Sequence, residues 1–207
     1  MTSKSPSRTA DASGARLSNL VGAWSLAVAD RVTAAAAAAA GRGGQAPAAL
    51  VALHEFAGGS TIDHLRQVLG ISHSAAVRLI DGLDADGHVK RAVHADDRRS
   101  VALTLTPTGR RTARRILEAR HRAVQSTLEG LSKQEQRSLM GLAEALTAQL
   151  VDLKLDERTR RSAPASGWLC RLCDFDACGR PQGLCPAAHR AHARTDPTPG
   201  PRLPTES

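Results

Sequence analysis

All four cysteines of the 207-residue chain fall within sixteen positions, as Cys170-x2-Cys173-x4-Cys178-x6-Cys185 followed by Pro186. Thiolates are soft metal ligands, and four so close in sequence can close on one centre with little loop entropy to lose. Unrelated structural thiols would be scattered through the chain, which has no others. Structural zinc sites use two close ligand pairs joined by a longer span, and only Cys170 and Cys173 form such a pair. Short irregular spacing ending in Cys-Pro is nearer to iron–sulfur ligation, although it matches neither common ferredoxin spacing. A metal centre on Cys170, Cys173, Cys178 and Cys185 is therefore expected, with an iron–sulfur cluster favoured over zinc. A reversible Cys170–Cys173 disulfide is the third option. His189 and His192 stand one helical turn apart but fit a solvated basic tail better than a ligand pair. Trp168 and Phe175 are expected to shield the centre, since so small a module has little other core.

A second constellation lies between Ser72 and Arg99. On a helix from Ser72 to Asp86, Ala76, Val77, Ile80 and Leu83 share one face, while Ser74, Ala75, Arg78 and Gly82 share the opposite one. Apart from Arg78 the second face is small. That composition lets a backbone approach base edges in a major groove, with one arginine to reach guanine or a phosphate. Ser72, His73, Ser74, Ala75 and Arg78 are the expected DNA contacts, and the helix amides beside Ser72 add an anion site. The hairpin tip His94-Ala95-Asp96-Asp97-Arg98-Arg99-Ser100 offers a second contact, Arg98 and Arg99 pointing to opposite sides so that one enters a minor groove. Asp97 is expected to hold one of them in place through a charge-assisted hydrogen bond. Between Gly87 and Arg122 ten Lys or Arg stand against three Asp or Glu, the densest basic region of the chain. Arg110, Arg111, Arg114 and Arg115 divide evenly between phosphate contact and a solvated helix face.

The elements that carry these residues follow from periodicity. Residues 1–14 are polar and aperiodic and read as a disordered tail. Leu17, Leu20, Val21, Trp24, Val28 and Val32 then recur at helical steps into seven alanines at 34–40, and the glycines from Gly41 to Gly44 end that helix. Pro47 opens a second helix that runs to about Phe56. Ser60 or Thr61 caps a third, with Ile62, Leu65 and Leu69 inward, and Gly70-Ile71-Ser72 turns into the fourth. After Gly87 the period changes to two: Val89 and Val93, then Val101, Leu103 and Leu105, read as strands around a polar tip. A long helix follows Pro107 with Ala113, Ile116, Leu117, Val124 and Leu128 on its face. Ser132 and Glu135 form a capping box for the next, faced by Leu139, Leu142, Leu146, Leu150 and Leu153. Such long apolar faces exceed what the small head can cover, so pairing with a second chain is expected. Residues 156–167 read as a linker, 168–193 as the Cys-rich segment and 194–207, with four prolines, as a disordered tail.

Residues 58–109 resemble the MarR family. The likeness rests on Leu69-Gly70-Ile71-Ser72, on Val77-Arg78-Leu79-Ile80-Asp81-Gly82-Leu83, and on Asp97-Arg98-Arg99 followed by Leu103-Thr104-Leu105-Thr106-Pro107-Thr108-Gly109. It extends over about residues 15–155. It implies a mainly α winged helix-turn-helix with a small two- to three-stranded β-wing and dimerisation helices at both ends. It further implies a homodimer on a pseudo-palindromic operator in double-stranded DNA and a small-molecule effector, although no residue identifies an effector site. The scarcity of aromatic residues, with no Tyr, argues against a phenol-sensing pocket.

Bulk properties agree. A net charge of +8 calls for an anionic partner, and 2% aromatic residues leave little for single-strand or RNA stacking. No run of about eighteen consecutive apolar residues is present, so a cytoplasmic protein without a membrane partner is expected. No Ser-His-Asp, paired-carboxylate or phosphate-loop arrangement points to an enzyme. The leading reading is a repressor whose Cys centre, on oxidation, loss or nitrosylation, moves the last dimer helix and changes the spacing of the reading heads. The competing reading is an electron-transfer or thiol-redox protein, which has no Gly-x-Gly-x-x-Gly cofactor signature behind it.

Overall fold

The computed structural model describes residues 8–93, 101–159 and 167–195. Helix α1 runs from Arg8 to Ala40, α2 from Ala46 to Glu55, α3 from Ile62 to Leu69 and α4 from His73 to Ala85. Strands β1 (Val89–Val93) and β2 (Val101–Leu105) follow, then α5 (Pro107–Leu128), α6 (Lys133–Thr159), a 3-10 turn at Leu169–Leu172 and α7 (Pro186–Thr195). The expected mainly helical winged helix-turn-helix is what the chain forms.

Three expected boundaries and one expected absence need correction. Residues 8–14 belong to α1 rather than to a disordered tail, because Ala10, Ala12 and Ala15 let an established helix propagate at little cost. Residues 156–159 continue α6 rather than opening a linker. Residues 194 and 195 close α7 rather than opening the C-terminal tail, and Arg194 is anchored by carboxylates on α6. From Ser13 to Ala40, α1 is also long and apolar enough to cross a membrane by length and composition, with a mean hydropathy of 1.2. Counting consecutive apolar residues misses this because single polar residues interrupt the run. Its large apolar residues nevertheless form a stripe, and Arg31 donates to Ser126 Oγ of α5 at 2.8 Å, the arrangement of a helix laid along another helix.

The core centres on α2. Every residue from Ala46 to Leu53 is buried, which is why this short helix is apolar all round. Around it pack Leu65, Val68 and Leu69 of α3, Ile80 and Leu83 of α4, Val89, Leu103 and Leu105 of the wing, and Ala113, Ile116 and Leu117 of α5. The strands pair antiparallel from Val89↔Leu105 to Val93↔Val101. Among the described residues the sheet has two strands. Gly59 N–H donates to Leu103 O and Leu103 N–H to Ser60 O, at 2.8 and 2.9 Å, a trace of a third. Strict alternation fails at the start of β2, where Val101 is exposed and Ala102 and Leu103 are both buried.

The wing root is fixed by one threonine. Thr106 caps α5 by accepting from Gly109 N–H at 3.0 Å, while its hydroxyl donates to Gly87 O at 2.7 Å. This joins the end of the α4 segment to the start of α5. At Gly109 a Cβ would lie 2.0 Å from His88 O, so only glycine allows that approach. The expected capping box also forms: Ser132 N–H donates to Glu135 Oε2 at 2.8 Å and Glu135 N–H to Ser132 Oγ at 3.3 Å. Those bonds to Ser132 hold the Glu135 carboxyl below the usual carboxylate range.

Candidate nucleic-acid interface and cysteine module

Helix α4 is seated by Ala76, Ile80 and Leu83, all buried, and this fixes the face it turns outward. Gly70 makes the preceding turn at φ +69°, a left-handed conformation that closes α3 and lets Ser72 start the next helix. Ser72 Oγ accepts from Ala75 N–H at 3.2 Å and lies 3.2 Å from Ser74 Oγ. Ser72, His73, Ser74 and Arg78 are exposed and Ala75 half-buried, so the structure brings these expected contacts onto one surface. Val77, assigned to the inward face, is half-buried at its margin. Asp97, Arg98 and Arg99 lie outside the described residues.

Gly82 is not part of the open face. The Arg42 guanidinium lies over it, 2.0 Å from where a Cβ would stand, and pairs with Asp86 at 3.0 Å. Sequence reasoning missed Arg42 because its partners are forty residues away and nothing local marks it. A second missed cation, Arg91 of β1, pairs with Asp81 at 2.5 Å and ties the wing to α4. Of the four α5 arginines weighed for phosphate contact, Arg110 donates to Leu105 O at 2.8 Å and Arg115 to Ala39 O at 3.2 Å, so both serve the fold.

The cysteines gather between the 3-10 turn and α7. Cys185 is buried against Val151 and Ala187, with Cys170 and Cys178 beside it. All four thiols are free. Cys178 Sγ–H donates to Phe175 O at 3.5 Å and Cys173 Sγ–H lies 4.0 Å from Leu169 O, while the four thiols influence one another electrostatically. The Cys173 hydrogen bond lowers the Cys170 thiol, helped by the Arg180 charge, and raises Cys173 itself. Burial pushes Cys178 up to about 11. Among the described residues no group of three or more His, Cys, Asp or Glu side chains is placed to hold a single ion.

The module is docked, not tethered. Trp168 N–H donates to Val68 O at 2.7 Å, and at Gly167 a Cβ would meet that oxygen at 2.5 Å and Leu69 C at 2.6 Å. Phe56 stacks on Trp168 and on Phe175, with centroids 5.9 and 5.3 Å apart and both planes within 3°. Phe175 N–H donates to Glu55 Oε2 at 2.9 Å. On the other side Arg190 holds Asp152 of α6 through a two-point ion pair, and Arg194 bridges Asp152 and Asp156. Trp168 and Phe175, expected as shields for the centre, are the means of attachment to the head.

A buried tri-helical core, a capped fourth helix with an open polar face and an adjoining β-hairpin define a winged helix-turn-helix protein. Residues 40–100 match the model of the MarR family. Two regulators of Bacillus subtilis strain 168, the uncharacterized HTH-type transcriptional regulators YwhA and YfiV, are 27% identical over 85 residues and 32% identical over 78 residues. These alignments cover 41% and 38% of this chain and 61% and 49% of the relatives. Among solved structures, YusO of Bacillus subtilis superposes with a TM-score of 0.55 at 19% identity, covering 68% of this chain and 97% of that one. Apo wild-type MarR of E. coli does so at 0.51 and 20%, covering 60% and 95%. At such identity these structures establish the shared fold.

Proposed function

We propose that the chain is a cytoplasmic, homodimeric transcriptional regulator, a repressor rather than an enzyme, that reads a pseudo-palindromic operator in double-stranded DNA. The observation that carries this is the outward face of α4. Ser72, His73, Ser74 and Arg78 stand exposed on a helix anchored by its other face, beside a β-hairpin whose connecting sequence includes Arg98 and Arg99. Short side chains with a single arginine suit entry into a major groove. The test is a gel shift on DNA from upstream of its own coding sequence. Arg78→Ala is expected to weaken specific binding roughly tenfold to a hundredfold, the cost of one good base contact. Unchanged binding by a folded Arg78→Ala variant would remove α4 from the interface.

The regulation is assigned to the cysteine module. Four thiols gathered in one small module are a donor set suited to zinc or an iron–sulfur centre. The short irregular spacing that ends in Cys-Pro favours an iron–sulfur cluster over one tetrahedral ion. Bound there, an iron–sulfur cluster would supply a state sensitive to oxidation and nitrosylation. The chain's own part is mechanical: the module holds the turn before Gly70 through Gly167 and Trp168, and holds α6 through Arg190. Loss of the module's internal order would therefore act on the reading head directly as well as through the last dimer helix. Anaerobically purified protein is expected to be brown with visible absorbance. Cys170→Ala is expected to be colourless and to bind operator without the wild type's response to oxidant. Colourless wild-type protein with stoichiometric zinc would replace sensing with a structural role.

A further inference from the structure

Glycine weakens a helix, yet Gly82 lies inside α4, the helix that reads DNA in the function proposed above. The space it leaves is filled from elsewhere. The Arg42 guanidinium lies across Gly82, with Cζ 3.0 Å from where a Cβ would stand and Nη1 closer still. Its Nε pairs with Asp86, one turn further along, at 3.0 Å. Arg42 itself is fixed to the end of α1. Gly41 turns left-handed at φ +69°, and Arg42 N–H donates to Ala37 O at 3.2 Å, the bond that closes a helix in this manner. That end of α1 is held in turn by α5, where Arg115 donates to Ala39 O at 3.2 Å. One side chain thus spans from the long helix with the exposed apolar stripe to the second half of α4. Both members of the ion pair are about two-fifths exposed, at 41% and 39%, and a pair so open to water adds little stability. What it does fix is geometry.

We propose that Arg42 is a positioning residue for DNA reading: lying across Gly82 and reaching Asp86, it sets the angle between α4 and α1 and with it the separation of the two reading heads. The proposal rests on the dimeric regulator reading. Ala76, Ile80 and Leu83 seat α4 on the core independently of Arg42, so loss of the strut leaves the contacts to each half-site in place. Only the relation between the heads is loosened. Each base pair added between half-sites moves the second by about 3.4 Å and turns it by about 34°, so heads held at one angle reject separations that loosened heads accept.

The experiment incubates the full chain with a pool of duplexes of random sequence and sequences the retained fraction. Wild type is expected to enrich an inverted pair of half-sites at one separation, about tenfold or more over separations one base pair longer or shorter, the scale of one mismatched base pair. Arg42→Met and Gly82→Ala should enrich the same half-site with neighbouring separations within about threefold of one another. Gly82→Ala keeps every charge and introduces the best helix former, so its urea midpoint should be kept or raised while the separation broadens. A merely structural contact predicts a lower midpoint and a separation as sharp as before. Arg91→Met, which cuts an ion pair inside the head, should leave the separation sharp. One sharp separation kept by either folded variant overturns the proposal, as does equal broadening by Arg91→Met. A wild type that enriches nothing, or single half-sites alone, sinks the dimeric regulator reading and the proposal with it. A wild type that enriches the pair, with variants that match it, removes Arg42 alone.

Discussion

At Gly109 and Gly167 any side chain would strike backbone, which cannot swing aside as the end of a side chain can. For Gly109 the obstacle is His88 O, 2.0 Å from a Cβ, at the junction where Thr106 links the wing to α5. Gly109→Ala should destabilise the head by roughly 1–3 kcal/mol, the usual cost of overpacking, seen as a lower urea midpoint with unchanged m-value. Gly167 differs because its obstacle joins two units rather than one core. Gly167→Ala should release the module and leave the head folded. Hydrogen exchange should then accelerate at the Trp168 amide, which now donates to Val68 O, while amides of α2 stay protected. Equal acceleration in both would mean that module and head form one cooperative unit. Gly109 was legible in the sequence as part of the Thr106-Pro107-Thr108-Gly109 run that carries the family resemblance. Gly167 read as linker because its partner is nearly a hundred residues away.

The same division holds for elements. Helices with an internal stripe and a local start signal, α3, α4 and α5, follow from spacing and from Thr61, Ser72 and Pro107, while the Thr106 cap of α5 emerged only from the structure. The exposed face of α4 followed too, except at Gly82, where a distant arginine covers what a helical wheel leaves open. What spacing cannot reveal is how α7 lies on α6, since ion pairs between Asp152, Arg190 and Arg194 have no signature in one dimension. Arg190, bonded to the Asp152 carboxyl, holds that acid below its ordinary value of 3.8. The sign follows directly. An acid lowered in the folded state contributes stability above its unfolded pKa, and the contribution fades as pH falls through the lower folded value. Docking of α7 should therefore be constant from neutral pH down to about 4 and weaken only in stronger acid. Asp152→Asn should bring the weakened state to neutral pH, with several-fold faster exchange of α7 amides, a modest effect in keeping with an exposed ion pair. Exchange in α7 that is unaltered by Asp152→Asn would leave the attachment to the apolar contacts around Val151.

At the scale of the whole molecule, the described residues leave a large apolar surface exposed on α1 and α6. Leu17, Leu20 and Trp24 on the first, and Leu142, Leu146 and Leu150 on the second, are each about half or more exposed in the single chain. Exposed stripes of this size on two long helices are more than a soluble monomer ordinarily carries, and a self-complementary pairing would cover both at once. The protein is expected to elute at twice its 21.8 kDa chain mass. Leu146→Glu with Leu150→Glu should give a monomer, because each buried leucine contributes about 1.5–3 kcal/mol and a buried carboxylate costs more. The core around α2 is remote from these positions, so helical content should be kept. Operator binding separates the two parts of the argument. A monomer retains one reading head with its α4 face intact, so nonspecific, salt-sensitive binding should persist while affinity for the paired half-sites falls by two orders of magnitude or more. A doubly substituted chain that still elutes as a dimer would place the subunit contact elsewhere, and the exposed leucines of α6 would then need another partner.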